Sequence, residues 1–79
     1  MELQIPNSTV VLVPGCIVKL HRFDFDEWVV GFGWYSWGHN RPVCGWYLTN
    51  KESPKVVKPL QLPDLDDIYM VTNEPTRIE

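Results

Sequence analysis

The sequence has no apolar run approaching the ~20 residues that a helix needs to cross a bilayer. Its first ten residues, MELQIPNSTV, carry neither a basic lead nor a long apolar segment of the secretory kind. The expectation is a chain that works in the cytoplasm, without a membrane. Only two cysteines are present, Cys16 and Cys44. A disulfide scaffold is therefore excluded, and in a reducing compartment both are expected as thiols. There is no Cys-x-x-Cys pair, no glycine-rich phosphate loop and no basic run. Ten acids against seven bases give a net charge of −3, a field that repels phosphate backbones, so nucleic acid is disfavoured as a partner. Helical periodicity is missing as well. Seven prolines and repeated β-branched stretches leave no segment long enough for a substantial helix.

What is present is a concentration of rings. Residues Glu27 to Thr49 read EWVVGFGWYSWGHNRPVCGWYLT and hold all four tryptophans of the chain. Seventy-nine residues allow one domain, and a chain that short buries little surface unless its side chains are large. Much of the aromatic content is thereby expected to be core.

The rest of the chain reads as short strands between turn signals. Leu3 and Ile5 suggest a brief strand in a polar lead-in, residues 1–7. Ser8–Val13 is β-branched and stops at Pro14-Gly15. Cys16–Phe23 alternates, with Cys16, Val18 and Leu20 inward and Lys19 and His21 outward. Trp28–Trp37 and Val43–Thr49 form a hairpin around Gly38-His39-Asn40-Arg41-Pro42. Lys55–Lys58 is a short strand. Asp64–Asp67 reads as one 3₁₀ or helical turn capped by Asp64, Ile68–Thr72 as a last strand, and residues 73–79 as a loosely attached tail. Side-chain parity places Trp28, Val30, Phe32 and Trp34 on the core face of one hairpin strand, and Cys44, Trp46 and Leu48 on that of the other.

Pro14-Gly15-Cys16-Ile17-Val18-Lys19-Leu20 resembles the Gly-x-x-Val opening strand of SH3-like small barrels. Pro63-Asp64-Leu65-Asp66-Asp67-Ile68-Tyr69-Met70-Val71 stands where such folds place a 3₁₀ turn and the closing strand. The resemblance covers about positions 10–72. It implies an all-β fold, a single SH3-like barrel of about five strands with one 3₁₀ turn before the last. The Ala-Leu-Tyr-Asp-Tyr-like segment, the Trp-Trp pair and the Pro-x-x-Tyr of peptide-binding SH3 domains are missing, so recognition of proline-rich peptides does not carry over. A fold of this breadth does not fix a function.

With the core rings assigned, Tyr35, Trp37 and Tyr47 remain on the opposite parity, interleaved with Gly31, Gly33 and Gly45. Together with His39 and Arg41 at the tip they form the candidate partner-binding surface, since exposed rings cost free energy and often mark contacts. The same rings would equally suit a homodimer interface. Cys16, His21, His39 and Cys44 have mirrored spacing, Cys-x₄-His and His-x₄-Cys. Five residues along a strand reverse the side-chain direction, so no metal is assigned to them. Asp24 with Asp26, and Asp64 with Asp66 and Asp67, read as loop and cap rather than as acid–base pairs, and neither cysteine has an orienting base. No catalytic residue and no cofactor are assigned. The expectation is a non-enzymatic module that binds a protein or peptide. The alternatives are a single-stranded nucleic-acid binder using Lys19, Arg22 and Arg41, a homo-oligomeric structural protein, and a small inhibitor of the phage type acting through its acids.

Overall fold

The computed structural model describes residues 2–23 and 25–72, so residues 73–79 of the expected tail lie outside the described region. The chain runs β1 (Leu3–Gln4), β2 (Val11–Leu12), β3 (Ile17–Leu20), a 3₁₀ turn (His21–Phe23), β4 (Trp28–Tyr35), β5 (Val43–Asn50), β6 (Val57–Pro59), α1 (Leu62–Asp67) and β7 (Ile68–Thr72). It is mostly strand, with one short helix and one 3₁₀ turn.

Strands β3 to β7 form one antiparallel sheet in the order β6-β5-β4-β3-β7, and β1 with β2 forms a separate two-stranded ribbon. The five strands do not close into a hydrogen-bonded barrel: β6 and β7 are the two edges. This corrects the expectation of a closed barrel. The last strand does return to the first of the five, with Val18 opposite Val71 and Lys19 opposite Met70.

The turn chemistry works as the composition suggests. Gly15 takes φ 99° and donates its N–H to the Val30 carbonyl at 2.8 Å, and Val30 N–H donates to the Cys16 carbonyl at 2.9 Å. These bonds fix where β3 enters beside β4. At the end of β5 the buried Asn50 accepts from the N–H groups of Glu52 and Ser53, both at 3.0 Å, so its side chain builds the turn that follows.

Two expected elements form differently. The strand expected to reach Phe23 stops at Leu20, because Arg22 is drawn aside: its backbone N–H and its Nε both bond Asp67 Oδ2, at 3.1 and 3.0 Å. The turn before the last strand is an α-helical segment from Leu62, not a 3₁₀ turn. Asp64 is not its cap. Gln61 occupies that position, and Asp64, three residues on, accepts the Gln61 N–H at 2.9 Å. Pro63 in the first turn lacks only an N–H that the helix would leave unpaired.

The core is Leu12, Cys16, Val18, Leu20, Trp28, Val30, Leu48 and Leu65. Cys16, Val18 and Leu20 keep the inward parity read from the sequence. Leu65 brings α1 onto the sheet, and Leu12 brings β2. The expected core face of β4, however, is buried only at Trp28 and Val30; Phe32 and Trp34 on the same parity are exposed.

Candidate functional site

β4 and β5 pair through eight rungs, from Trp28 opposite Asn50 to Tyr35 opposite Val43. Their neighbours are shorter. β3 pairs with β4 only at Trp28 and Val29, extended by the Val30–Cys16 bond, and β6 pairs with β5 only from Tyr47 to Thr49. Leu60 N–H adds one bond to the Trp46 carbonyl, at 3.1 Å. Beyond those points the hairpin has no strand beside it among the described residues, and it projects past the core.

Parity therefore means different things at its two ends. Near the sheet it separates core from solvent. On the projecting part both faces meet solvent. One face carries Phe32, Trp34 and Cys44, with Trp46, partly buried against the core, at its base. Phe32 and Trp46 share a rung and meet edge to face at 5.2 Å. Trp34, opposite the exposed Cys44, is 74% exposed, which makes it the most accessible of the tryptophans.

The other face carries Gly31 opposite Tyr47, Gly33 opposite Gly45, and Tyr35 opposite Val43. The bare Gly33–Gly45 rung leaves a gap between the tyrosines. Their rings lean across it and meet at 5.2 Å. Tyr47 also lies over Gly31: a Cβ on that glycine would stand 2.5 Å from the ring. Both tyrosines are half-buried.

The five residues singled out from the sequence are thus divided. Tyr35 and Tyr47 are brought together on one face. Trp37, His39 and Arg41 are exposed in the connecting loop, where Gly38 has φ 60° and Asn40 N–H donates to the Trp37 carbonyl at 3.2 Å. The residues missed were Trp34 and Phe32, assigned to the core by parity alone. Length gave no signal, since the expected strand Cys16–Phe23 is itself eight residues long; the register decides, because with Ile17 opposite Val29 the Pro14-Gly15 turn falls level with Gly31 and Phe32 and the flank ends there.

The other chemistry weighed from the sequence is dispersed or internally engaged. Cys16 is buried, and burial pushes its thiol above the ordinary range; Cys44 is exposed on the hairpin, and both are free. His21 packs on Tyr69, ring centres 4.6 Å apart. Among the described residues no three His, Cys, Asp or Glu side chains are grouped to hold a metal ion. In the acidic turn, Asp64 is 3% exposed and is bonded by the Arg22 guanidinium and by Lys58 Nζ, the latter at 3.0 Å. Asp67 accepts both Arg22 bonds, and they hold its carboxyl below the usual range. Two of these three acids therefore tie α1 to the 3₁₀ turn and β6, and only Asp66 points outward. A recess of about 520 Å³ lies between the β1–β2 turn, α1 and β7, lined by Ile5, Val10, Leu65, Ile68 and Val71 with Asp66 as its sole charged lining residue. No helix among the described residues is long and apolar enough to cross a membrane.

Comparison of the chain with protein-family models, with curated proteins and with solved structures finds no match.

Proposed function

We propose that this chain is a non-enzymatic interaction module, an SH3-like small barrel left open between β6 and β7, that docks a protein or peptide partner on its projecting aromatic hairpin. The fold assignment rests on the meander whose last strand, after a helical turn, returns to pair with its first. The functional assignment rests on one observation: Trp34 and Trp37 are 74% and 46% exposed on a hairpin that extends past the core. Indoles held in water forgo roughly 25 cal/mol for each Å² of apolar surface left uncovered. A small protein whose core is short of apolar mass gains nothing in stability by placing them there, but a partner gains an anchor.

The contact surface is Phe32, Trp34, Trp37, His39 and Arg41, with the Tyr35–Tyr47 pair stiffening the hairpin from behind. The cytoplasm is the compartment this reading assigns, where an exposed Cys44 thiol remains reduced. Selection from a random peptide library tests the reading. Peptides retained by the protein should be lost on Trp34→Ala, while the variant keeps its melting temperature. A library that yields no Trp34-dependent binder would remove the hairpin as a docking surface.

A further inference from the structure

The projecting hairpin differs from the rest of the molecule in charge as well as in shape. From Trp28 to Asn50 there is no Asp or Glu, while Arg41 and His39 stand in the loop. The whole negative balance of the chain, −3, therefore comes from elsewhere. Arg41 is exposed and, like Lys19 and Lys55, has no ion-pair partner among the described residues, whereas Arg22, Lys51 and Lys58 are each bridged to a carboxylate. The one unbridged guanidinium among the described residues thus lies in the hairpin that carries the exposed rings, and the acids lie elsewhere in the chain.

We propose that the occupant of the hairpin is an extended acidic peptide segment with interleaved apolar residues, which deepens the interaction reading above and rests on it. Three features select it. The planar guanidinium of Arg41 suits a carboxylate, which it can hold through two parallel bonds. Phe32 and Trp34 give apolar side chains a face to cover. The outer edges of β4 beyond Gly31 and of β5 before Trp46 have no strand neighbour among the described residues, so their backbone groups are open to an extended chain. Nucleic acid would use the rings as stacking platforms, but it would find one arginine here and no open use for the strand edges. The acids outside the hairpin repel a negative segment, which favours the acid-free hairpin over the acidic parts of the surface.

The test uses the intact protein and a synthetic peptide alternating glutamate with leucine and phenylalanine, beside the same peptide with lysine in place of glutamate. Fluorescence anisotropy at low salt is expected to show the acidic peptide binding at least about tenfold more tightly, the ratio that one favourable charge pair supplies. Added salt should narrow the ratio. Arg41→Glu, in an exposed loop where folding is not at stake, should reverse the preference, and Trp34→Ala should remove binding of both.

If both peptides bind equally and both depend on Trp34, the acidic partner is wrong and the interaction module stands. If neither binds and the library is also empty, both readings fall. An oligothymidine that binds through Trp34 where the acidic peptide does not would overturn the proposal in favour of single-stranded nucleic acid. A dimer seen by sedimentation, dissolved by Trp34→Ala and not displaced by the acidic peptide, would give the face to a second copy and overturn it likewise.

Discussion

Trp28 and Trp34 lie on one strand and on one side-chain parity, yet Trp28 is 4% exposed and Trp34 is 74% exposed. The difference is made by the neighbours of each. Trp28 is flanked by β3 and packs against Phe23 at 5.7 Å, edge to face, whereas Trp34 lies beyond the last flanking strand. Trp28→Ala and Leu48→Ala are accordingly expected to cost about 2–5 kcal/mol each, by lost transfer and cavity. Trp34→Ala should stay within about 0.5 kcal/mol of the parent. Urea denaturation of the three variants checks this, and equal losses at Trp34 and Leu48 would contradict the placement of Trp34. Gly31 has a narrower role. An alanine there meets the far end of the Tyr47 ring, which must swing away from Tyr35. The expected cost is about 0.5–1.5 kcal/mol, the worth of the ring pair. In a Tyr47→Ala background the same substitution should be neutral or mildly stabilising, because the ring is gone and alanine restricts the unfolded chain more than glycine. A double-mutant cycle reads both numbers.

At the scale of elements, α1 is held less by its own six residues than by what grips its acids. Asp64 closes the helix start through Gln61 and accepts from Lys58 of β6, and with Asp67 it receives Arg22. Helix, 3₁₀ turn and sheet edge are thereby fixed by one charge cluster. Asp67 titrates below its ordinary range because Arg22 bonds its charged form. Its contribution to stability is therefore fully present above the unfolded value of about 4 and is lost as pH falls through the lowered folded value. Melting temperature followed downward from neutral pH should show this acid limb, and Asp67→Asn should flatten it. A variant with an unchanged acid limb would place the linkage elsewhere. The cluster was not legible in the sequence, since Arg22 and Asp67 are 45 residues apart and no local pattern joins them. The turn itself was legible in Pro63 and the acids, but its type was not. A single turn can be α or 3₁₀ at similar cost, and here the Leu65 side chain docking on the core and the Gln61–Asp64 exchange decide for α.

At the scale of the whole molecule, strands and turns were readable wherever chemistry is local: Pro14-Gly15, the Gly38 loop, and the inward parity of Cys16, Val18 and Leu20. Closure was not, because it depends on whether β6 and β7 meet, and no residue of either encodes that. The candidate surface was half legible. Trp37, His39 and Arg41 are exposed as expected of a loop, but parity cannot tell a covered face from one that outruns its cover. Only the register, with Ile17 opposite Val29, shows that the flank ends at the Pro14-Gly15 turn and leaves Phe32 and Trp34 in solvent.

The proposed docking site is the projecting hairpin and not the recess between the β1–β2 turn and β7. Two-dimensional NMR of the isotopically labelled protein, titrated with a library-selected peptide, addresses this most directly. The indole signals of Trp34 and Trp37 and the amides of residues 32–46 are expected to shift while those of Ile5, Val10 and Val71 stay in place. Shifts confined to the recess, with the Trp34 and Trp37 indoles unmoved, would contradict it.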